Sequence, residues 1–340
     1  MARRGHTTIN IGQARNSSFP KSIISLFLLF SGLLPSPFII PSLLASSCTR
    51  TDDPSLQPGR PIRLDLTKGS EIRRADVFFY HDDATRRLDA YQRFESPDAY
   101  VNALSTAGRK IAVLVVNSPA DIYGWGEVNS FESLASRRMR LDEDKPSSPI
   151  SSGMLHLDAG TDGGGKVLLK PLMSKIVLNS LRCDFRGRSY EGAVMDNTRI
   201  FLINASTSST LLQDSLPVQY FNEGREDGAS PQFLACEGIG TVGDKTIFPD
   251  AELFCYGNPA TKDGPGTPLT RLVVQGDIGG QTYYYPVSLP GLTRGCTVSV
   301  DLEITRTGTD DPDAVLQAGV YSAMLSVLPW EEKPLQTVRF

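Results

Sequence analysis

Thr297-Val-Ser-Val-Asp-Leu-Glu-Ile-Thr305 alternates without a break. Val298, Val300, Leu302 and Ile304 fall on one side, and Ser299, Asp301, Glu303 and Thr305 on the other. This period of two is that of an antiparallel strand with one buried and one wet face. Stretches around it repeat the theme between clusters of Gly, Pro, Asn and Asp: Arg199 to Asn204, Ala251 to Tyr256, Arg271 to Gln275, Thr282 to Val287 and Val320 to Val327. Asp277-Ile-Gly-Gly-Gln281 reads as a tight hairpin turn, because paired glycines supply the positive φ that such turns need. Many short strands at this spacing predict a β-sandwich.

Toward the N-terminus the texture is mixed. Ile62 to Thr67 is a short strand with Ile62, Leu64 and Leu66 on one face. Ala75 to Tyr80 and Leu88 to Phe94 are further strands. Ser96-Pro97 reads as a helix N-cap and first turn, followed by Tyr100, Val101 and Leu104 at helical spacing and a stop at Gly108. Lys110 to Asn117 is an apolar run of strand length, expected at the centre of a sheet. A second short helix is expected at Phe131 to Ser136, a glycine-rich turn at Gly160 to Gly165, and one or two strands across Val167 to Leu181. The fold class is all-β with one or two short helices. Helical signals vanish after Cys183, which places a division between residues 62–182 and 183–340, near Leu181 to Phe185.

Residues 1–47 form a leader and 48–61 a tether. Arg3, Arg4, Arg15 and Lys21 precede a long apolar run that ends in Ala45-Ser46-Ser47 and then Cys48, with no acidic residue before the cysteine. This is the layout of a secretory signal, and a cysteine directly after small residues resembles a bacterial lipoprotein signal. A transmembrane anchor is the alternative, since the run is long enough to span a bilayer. Against it, Pro35, Pro37 and Pro41 would leave carbonyls without partners in lipid. The chain carries 34 basic and 38 acidic residues; removing four basic ones with the leader leaves 30 against 38, or −8. Basic residues are scattered singly, so nucleic acid is an unsuitable partner.

Little in the sequence points to catalysis. The three histidines, His6, His81 and His156, have no nucleophile or ligand partner nearby in sequence. Asp158 to Asp162 and Thr309 to Asp313 lack the ligand spacing that calcium requires. Gly163-Gly-Gly165 lacks the Lys-Ser/Thr of a phosphate-binding loop. Tyr283-Tyr-Tyr285 is split across two faces by strand alternation. Neither cofactor nor metal is expected, and the chain is read as a non-enzyme. Cys183, Cys236, Cys255 and Cys296 permit two disulfides in an exported protein or four free thiols.

Several segments recur in a recognisable order. They are the lipoprotein leader, Val77-Phe-Phe-Tyr-His-Asp-Asp83 with Leu88-Asp-Ala-Tyr-Gln-Arg-Phe94, the strand Ala112 to Asn117, and the hairpin Thr270-Arg-Leu-Val-Val to Tyr-Tyr-Tyr-Pro286. Asp301-Leu-Glu-Ile-Thr-Arg-Thr-Gly308, Asp311-Pro-Asp313 and Pro329-Trp330 complete the series. Together they resemble the Bacteroidales fimbrillins, subunits of type V pili. The resemblance implies two transthyretin-like β-sandwich domains and export to the cell surface as an outer-membrane lipoprotein, with palmitate or a similar chain on Cys48. It implies an arginine-specific protease as a partner, cutting at Arg73 or Arg74 to release the strand carrying Ile62, Leu64 and Leu66. Arg60 and Arg63 would cut before or inside that strand and leave it in place. A C-terminal strand of another fimbrial subunit would then fill the vacated groove by strand addition. Here that donor is Val320 to Val327, with Tyr321, Ala323, Leu325 and Val327 on one face and Val320, Ser322, Met324 and Ser326 on the other. The function implied is a polymerising fimbrial subunit that supports adhesion. An uncleaved, lipidated anchor or accessory subunit and a glycan-binding surface lipoprotein are the alternatives.

The leader makes one prediction directly. Cys48→Ala should abolish incorporation of a clickable fatty acid and trap the leader on the chain, and unchanged labelling would refute lipidation at Cys48.

Overall fold

The computed structural model describes residues 59–66, 71–119, 123–222, 232–314, 316 and 319–330, all within the unit Asp52–Phe340. The leader, Cys48 and His6 lie outside them. In chain order the first strands are β1 (Arg60–Leu66), β2 (Arg74–His81), β3 (Leu88–Glu95), β4 (Tyr100–Ser105) and β5 (Arg109–Val116). Two short helices follow, α1 (Trp125–Val128) and α2 (Phe131–Ser136). Next come β6 (Arg138–Arg140), β7 (Ser151–Asp158), β8 (Gly164–Val167), β9 (Lys170–Pro171) and β10 (Met173–Cys183). The later strands are β11 (Met195–Ile203), β12 (Ala205–Ser206), β13 (Ser208–Thr210), β14 (Tyr220–Phe221) and β15 (Ala235–Val242). The last are β16 (Ala251–Tyr256), β17 (Arg271–Ile278), β18 (Gln281–Ser288), β19 (Cys296–Ile304) and β20 (Tyr321–Pro329).

Four sheets make two β-sandwiches. In the first, β4-β1-β8 faces β3-β2-β5-β7-β9. Ile62, Leu64, Leu66, Val101, Ala103 and Val167 meet Ala75, Val77, Phe79, Ala112, Leu114 and Val116 between the layers. β5 lies between β2 and β7, the central position its apolar run predicts. The other face of this sheet is also dry: Phe78, Tyr80, Ile111, Val113 and Val115 are covered by Phe131 and Leu134 of α2 and by Met139 and Leu141. The Ser130 hydroxyl caps α2 by accepting from the Ser133 amide at 3.2 Å.

The second sandwich pairs β14-β12-β16-β10-β19-β20 with β15-β11-β17-β18. Val298, Val300, Leu302 and Ile304 all point into its core, as their alternation demands. The turn between β17 and β18 is the expected one, with Gly279 and Gly280 at φ of 60° and 82°. β10, which ends at Cys183, hydrogen-bonds to β16 and β19 of this second sandwich. Cys183, Cys236, Cys255 and Cys296 are unpaired, and burial pushes the Cys183 and Cys255 thiols up.

The first predicted helix is corrected. Residues 96–108 are not a helix: Tyr100–Ser105 is β4, antiparallel to β1 with Ala103 opposite Ile62 and Val101 opposite Leu64. Ser96 sits at a left-handed φ of 46°, not the extended geometry of an N-cap. Val101, Ala103 and Ser105 are buried while Tyr100 and Leu104 are exposed. The small inward residues hid the period of two, and pairing with β1 overrode a weak helical propensity.

Buried polar groups join the two sandwiches. The Arg294 guanidinium, two residues before β19 of the second sandwich, donates to the carbonyls of Leu211 and Lys170, both at 2.6 Å, and to Ser152 Oγ at 2.9 Å. Burial pushes its pKa down to about 10, so it stays charged at neutral pH. Nearby, Tyr256 Oη lies 3.2 Å from Asp144 Oδ2 and 3.1 Å from the Arg140 carbonyl. Burial pushes the Asp144 carboxyl up to about 7, although the amides of Lys145 and Ile150 donate to its Oδ1 at 2.8 Å.

An unfolded aspartate titrates near about 3.9, so between about pH 4 and 7 the folded chain holds a proton at Asp144 that the unfolded chain has lost. Stability from this group therefore falls as pH rises through that window and levels off above it. Asp144→Asn keeps an Oδ1 acceptor for both amides and removes the titration. Its Tm relative to wild type should climb from pH 4 to pH 7, whereas a difference that does not vary with pH would contradict the raised value.

Candidate functional site

β1 is the middle strand of its sheet. It runs antiparallel to β4 through Arg60 to Asp65 and parallel to β8 through Arg63 to Leu66. Ile62 and Leu64 are 1% and 0% exposed, and Leu66 is buried beside them. On the outer face the Arg63 Nε and Asp65 Oδ1 atoms are 2.9 Å apart, and the guanidinium lies 3.9 Å from the centre of the Tyr100 ring. β8 approaches so closely that only glycine fits: a Cβ on Gly164, whose φ is +142°, would fall 1.7 Å from the Arg63 carbonyl oxygen. Of the predicted glycine turn, Gly164 and Gly165 thus belong to a strand. Without β1 a channel would lie between β4 and β8, floored by the apolar residues of β2 and β5.

Arg73 and Arg74 stand where the chain leaves this sheet for the next. Arg73 carries an exposed ion pair with Glu71 at 3.1 Å. Arg74 opens β2, with Nε 3.2 Å from Glu95 Oε1 and Nη1 donating to the Ser118 carbonyl at 3.1 Å. Its own carbonyl accepts from the Asn117 amide at 3.0 Å, and the Arg73 carbonyl accepts from Ser96 at 2.7 Å.

At the other end of the chain, β20 is an edge strand. It pairs with β19 over nine residues without a bulge, from Tyr321 opposite Ile304 to Pro329 opposite Cys296. Tyr321 and Ala323 pack on the core, and the Tyr321 hydroxyl donates to the Pro286 carbonyl at 2.9 Å. Leu325 and Val327 lie on the same face, opposite Val300 and Val298, yet are 36% and 62% exposed. Met324, on the other face, is half exposed. This outer edge has no charged side chain along its length, the usual guard against pairing with another strand.

Folding also assembles polar clusters that sequence proximity concealed. His81 Nδ1 lies 3.1 Å from the Nζ of Lys110, which is fully buried, and Lys110 Nζ is 3.2 Å from Asp89 Oδ2. Burial would raise Asp89, but donation from the Thr106 hydroxyl and amide and from Ser105 outweighs it and holds the carboxyl low. His156 Nδ1 is 3.3 Å from Asp82 Oδ2, and that hydrogen bond, aided by Arg109, lowers Asp82. Register explains both: His81 faces Lys110 across β2 and β5, and His156 faces Ile111 across β5 and β7. Each cluster is an ion-pair network, and among the described residues no group of three or more His, Cys, Asp or Glu is arranged to hold a metal.

No family model and no curated protein matches the sequence. Solved structures do. A candidate cell adhesion protein from Bacteroides eggerthii superposes with a TM-score of 0.62 at 16% identity, over 81% of this chain and 97% of that one. A fimbrilin from Porphyromonas gingivalis gives 0.61 at 12% identity, over 81% of this chain and 98% of its own. A second candidate cell adhesion protein, from Parabacteroides distasonis, gives 0.59 at 12% over 79% and 96%. The likeness to fimbrillins read from the sequence is thus matched in three dimensions, and what the chain shares with these proteins is their fold.

The β1 geometry is testable by stability. Leu64→Ala should cost about 2–5 kcal/mol, the range for deleting a buried leucine. Gly164→Ala should push β1 off β8, so that hydrogen exchange speeds up at the Ile62 and Leu64 amides while β10 and β19 stay protected. An unchanged Tm in both variants would mean that β1 does not hold this place in solution.

Proposed function

We propose that this chain is a structural subunit of a fimbrillin-type surface fibre. It is exported as a lipoprotein held to the outer membrane through Cys48. It joins its neighbours by strand exchange after an arginine-specific protease frees β1 at Arg73 or Arg74, and the assembled fibre supports adhesion. The observation that carries this reading is the pairing of two features. One is a middle strand near the front of the described chain, joined to the next sheet through Arg73 and Arg74. The other is an uncharged, partly uncovered edge strand at its end.

The chemistry of the two is complementary. The channel under β1 takes three aliphatic side chains at alternate positions, Ile62, Leu64 and Leu66. β20 offers Ala323, Leu325 and Val327 at the same spacing, with Tyr321 next along the face. Main-chain hydrogen bonds along β4 and β8 would supply affinity and the apolar pockets specificity. The reading includes two transthyretin-like domains; the division expected near Leu181 to Phe185 is drawn instead between β9 and β10, because β10 hydrogen-bonds to β16 and β19. The networks satisfied at His81 and His156 accord with a protein that builds and binds.

A second reading, an uncleaved lipidated anchor or accessory subunit, is favoured by one observation. The Arg73 amide, the Arg73 carbonyl and the Arg74 carbonyl are all hydrogen-bonded in the folded chain.

Leu325→Asp tests the joint. Leu325 is partly exposed on its own chain, so the variant should fold and reach the surface, while a charge entering a neighbour's apolar channel would remove roughly the 1.5–3 kcal/mol of a buried leucine and more. It should run as monomer on mild-denaturant gels. A normal polymer ladder would place the joint elsewhere, and loss of soluble monomer would mean that β20 serves its own domain alone.

A further inference from the structure

The proposed function has β1 cut away at Arg73 or Arg74, and the inference drawn here rests on that reading. By side chain the site looks open, since 54% of the Arg73 side chain faces solvent. The peptide bonds are less available. A trypsin-type protease binds its substrate as an added strand, which needs extended main chain free of other hydrogen bonds on both sides of the cut. Downstream of Arg74 the chain enters β2, buried from Ala75 to Tyr80 between β3 and β5.

Upstream, one residue closes the site. Asn117 follows β5 in the left-handed conformation, at a φ of 59°. Its Oδ1 accepts from the Arg73 amide at 2.8 Å, and its Nδ2 donates to the Glu71 carbonyl at 2.9 Å and the Pro149 carbonyl at 3.3 Å. Its amide donates to the Arg74 carbonyl at 3.0 Å. Asn117 therefore grips main chain at Glu71, Arg73 and Arg74, spanning Ile72, which itself packs into the first core. For Arg74 to enter a protease pocket it must also leave Glu95 and the Ser118 carbonyl.

We infer that Asn117 is a latch that keeps the Arg73–Arg74 site closed in the folded chain. Release of β1 is then governed by local opening of residues 71–74, during export or on contact with a partner, and the presence of two arginines is not sufficient. Proteolysis under these conditions follows the population of the open form.

The test uses the full-length protein in detergent micelles, dilute trypsin in native buffer, and mass spectrometry of the new N-termini. Cleavage after Arg186, whose side chain is 79% exposed, is the internal reference. In wild type, cleavage at Arg73 or Arg74 should be slower than at Arg186. Asn117→Gly keeps the left-handed backbone and removes the side-chain bonds; it should accelerate cleavage at Arg73 or Arg74 about tenfold, the scale of one or two lost hydrogen bonds, with Arg186 unchanged. Asn117→Asp, which keeps the acceptor and loses the donor, should fall between. Equal rates at both sites in wild type, or equal acceleration at both in Asn117→Gly, would overturn the latch. If Asn117→Gly fails to fold, hydrogen exchange of wild type decides, because a rapidly exchanging Arg73 amide is incompatible with the latch. A chain carrying Arg186→Gln, shown by mass to be cut only at Arg73 or Arg74, that still fails to polymerise would sink the functional reading and leave the latch standing.

Discussion

The first sandwich depends on a single strand whose hydrogen bonds and side chains come from one short stretch. β1 supplies Ile62, Leu64 and Leu66 to the core and pairs with both neighbours, so β4 and β8 touch each other only through it. Each buried aliphatic contributes about 1.5–3 kcal/mol, and the main chain of β4 and β8 would be left unpaired without it. A strand so placed is held firmly while present. Its loss leaves an empty site of defined shape, with a row of donors and acceptors on each side.

That arrangement gives meaning to the rest of the molecule. Glycine at position 164 allows β8 to run parallel and close to β1, and a side chain there would collide with the Arg63 carbonyl. In the second sandwich the middle strands β10 and β19 are long, parallel to each other and largely buried. At its edge, β20 is anchored by Tyr321 and Ala323 at one end and uncovered at Leu325 and Val327 at the other. Arg294 and the Asp144–Tyr256 contact hold the two sandwiches to each other by buried polar bonds. A buried guanidinium facing carbonyls is costly to break, because each freed group would remain out of water.

What the sequence by itself determined was periodicity and chemistry. Val298 to Ile304, the run at Lys110 to Asn117 and the Gly279-Gly280 turn were legible because side-chain alternation, an unbroken apolar run and paired glycines act locally, whereas the serine signal at Ser96 misled. Ile62, Leu64 and Leu66 could be named as one face, and Tyr321 to Val327 as another. Tertiary structure alone decided which strands pair. Nothing local in Tyr100–Ser105 says strand; its partner β1 makes it one. Nothing near Arg73 shows that Asn117, forty-four residues on, holds its amide, nor near His81 that Lys110 and Asp89 converge on it. Main-chain hydrogen bonds between strands are chemically identical at every residue. The partner of each is therefore set by which apolar faces can be buried together, and that choice belongs to the whole chain.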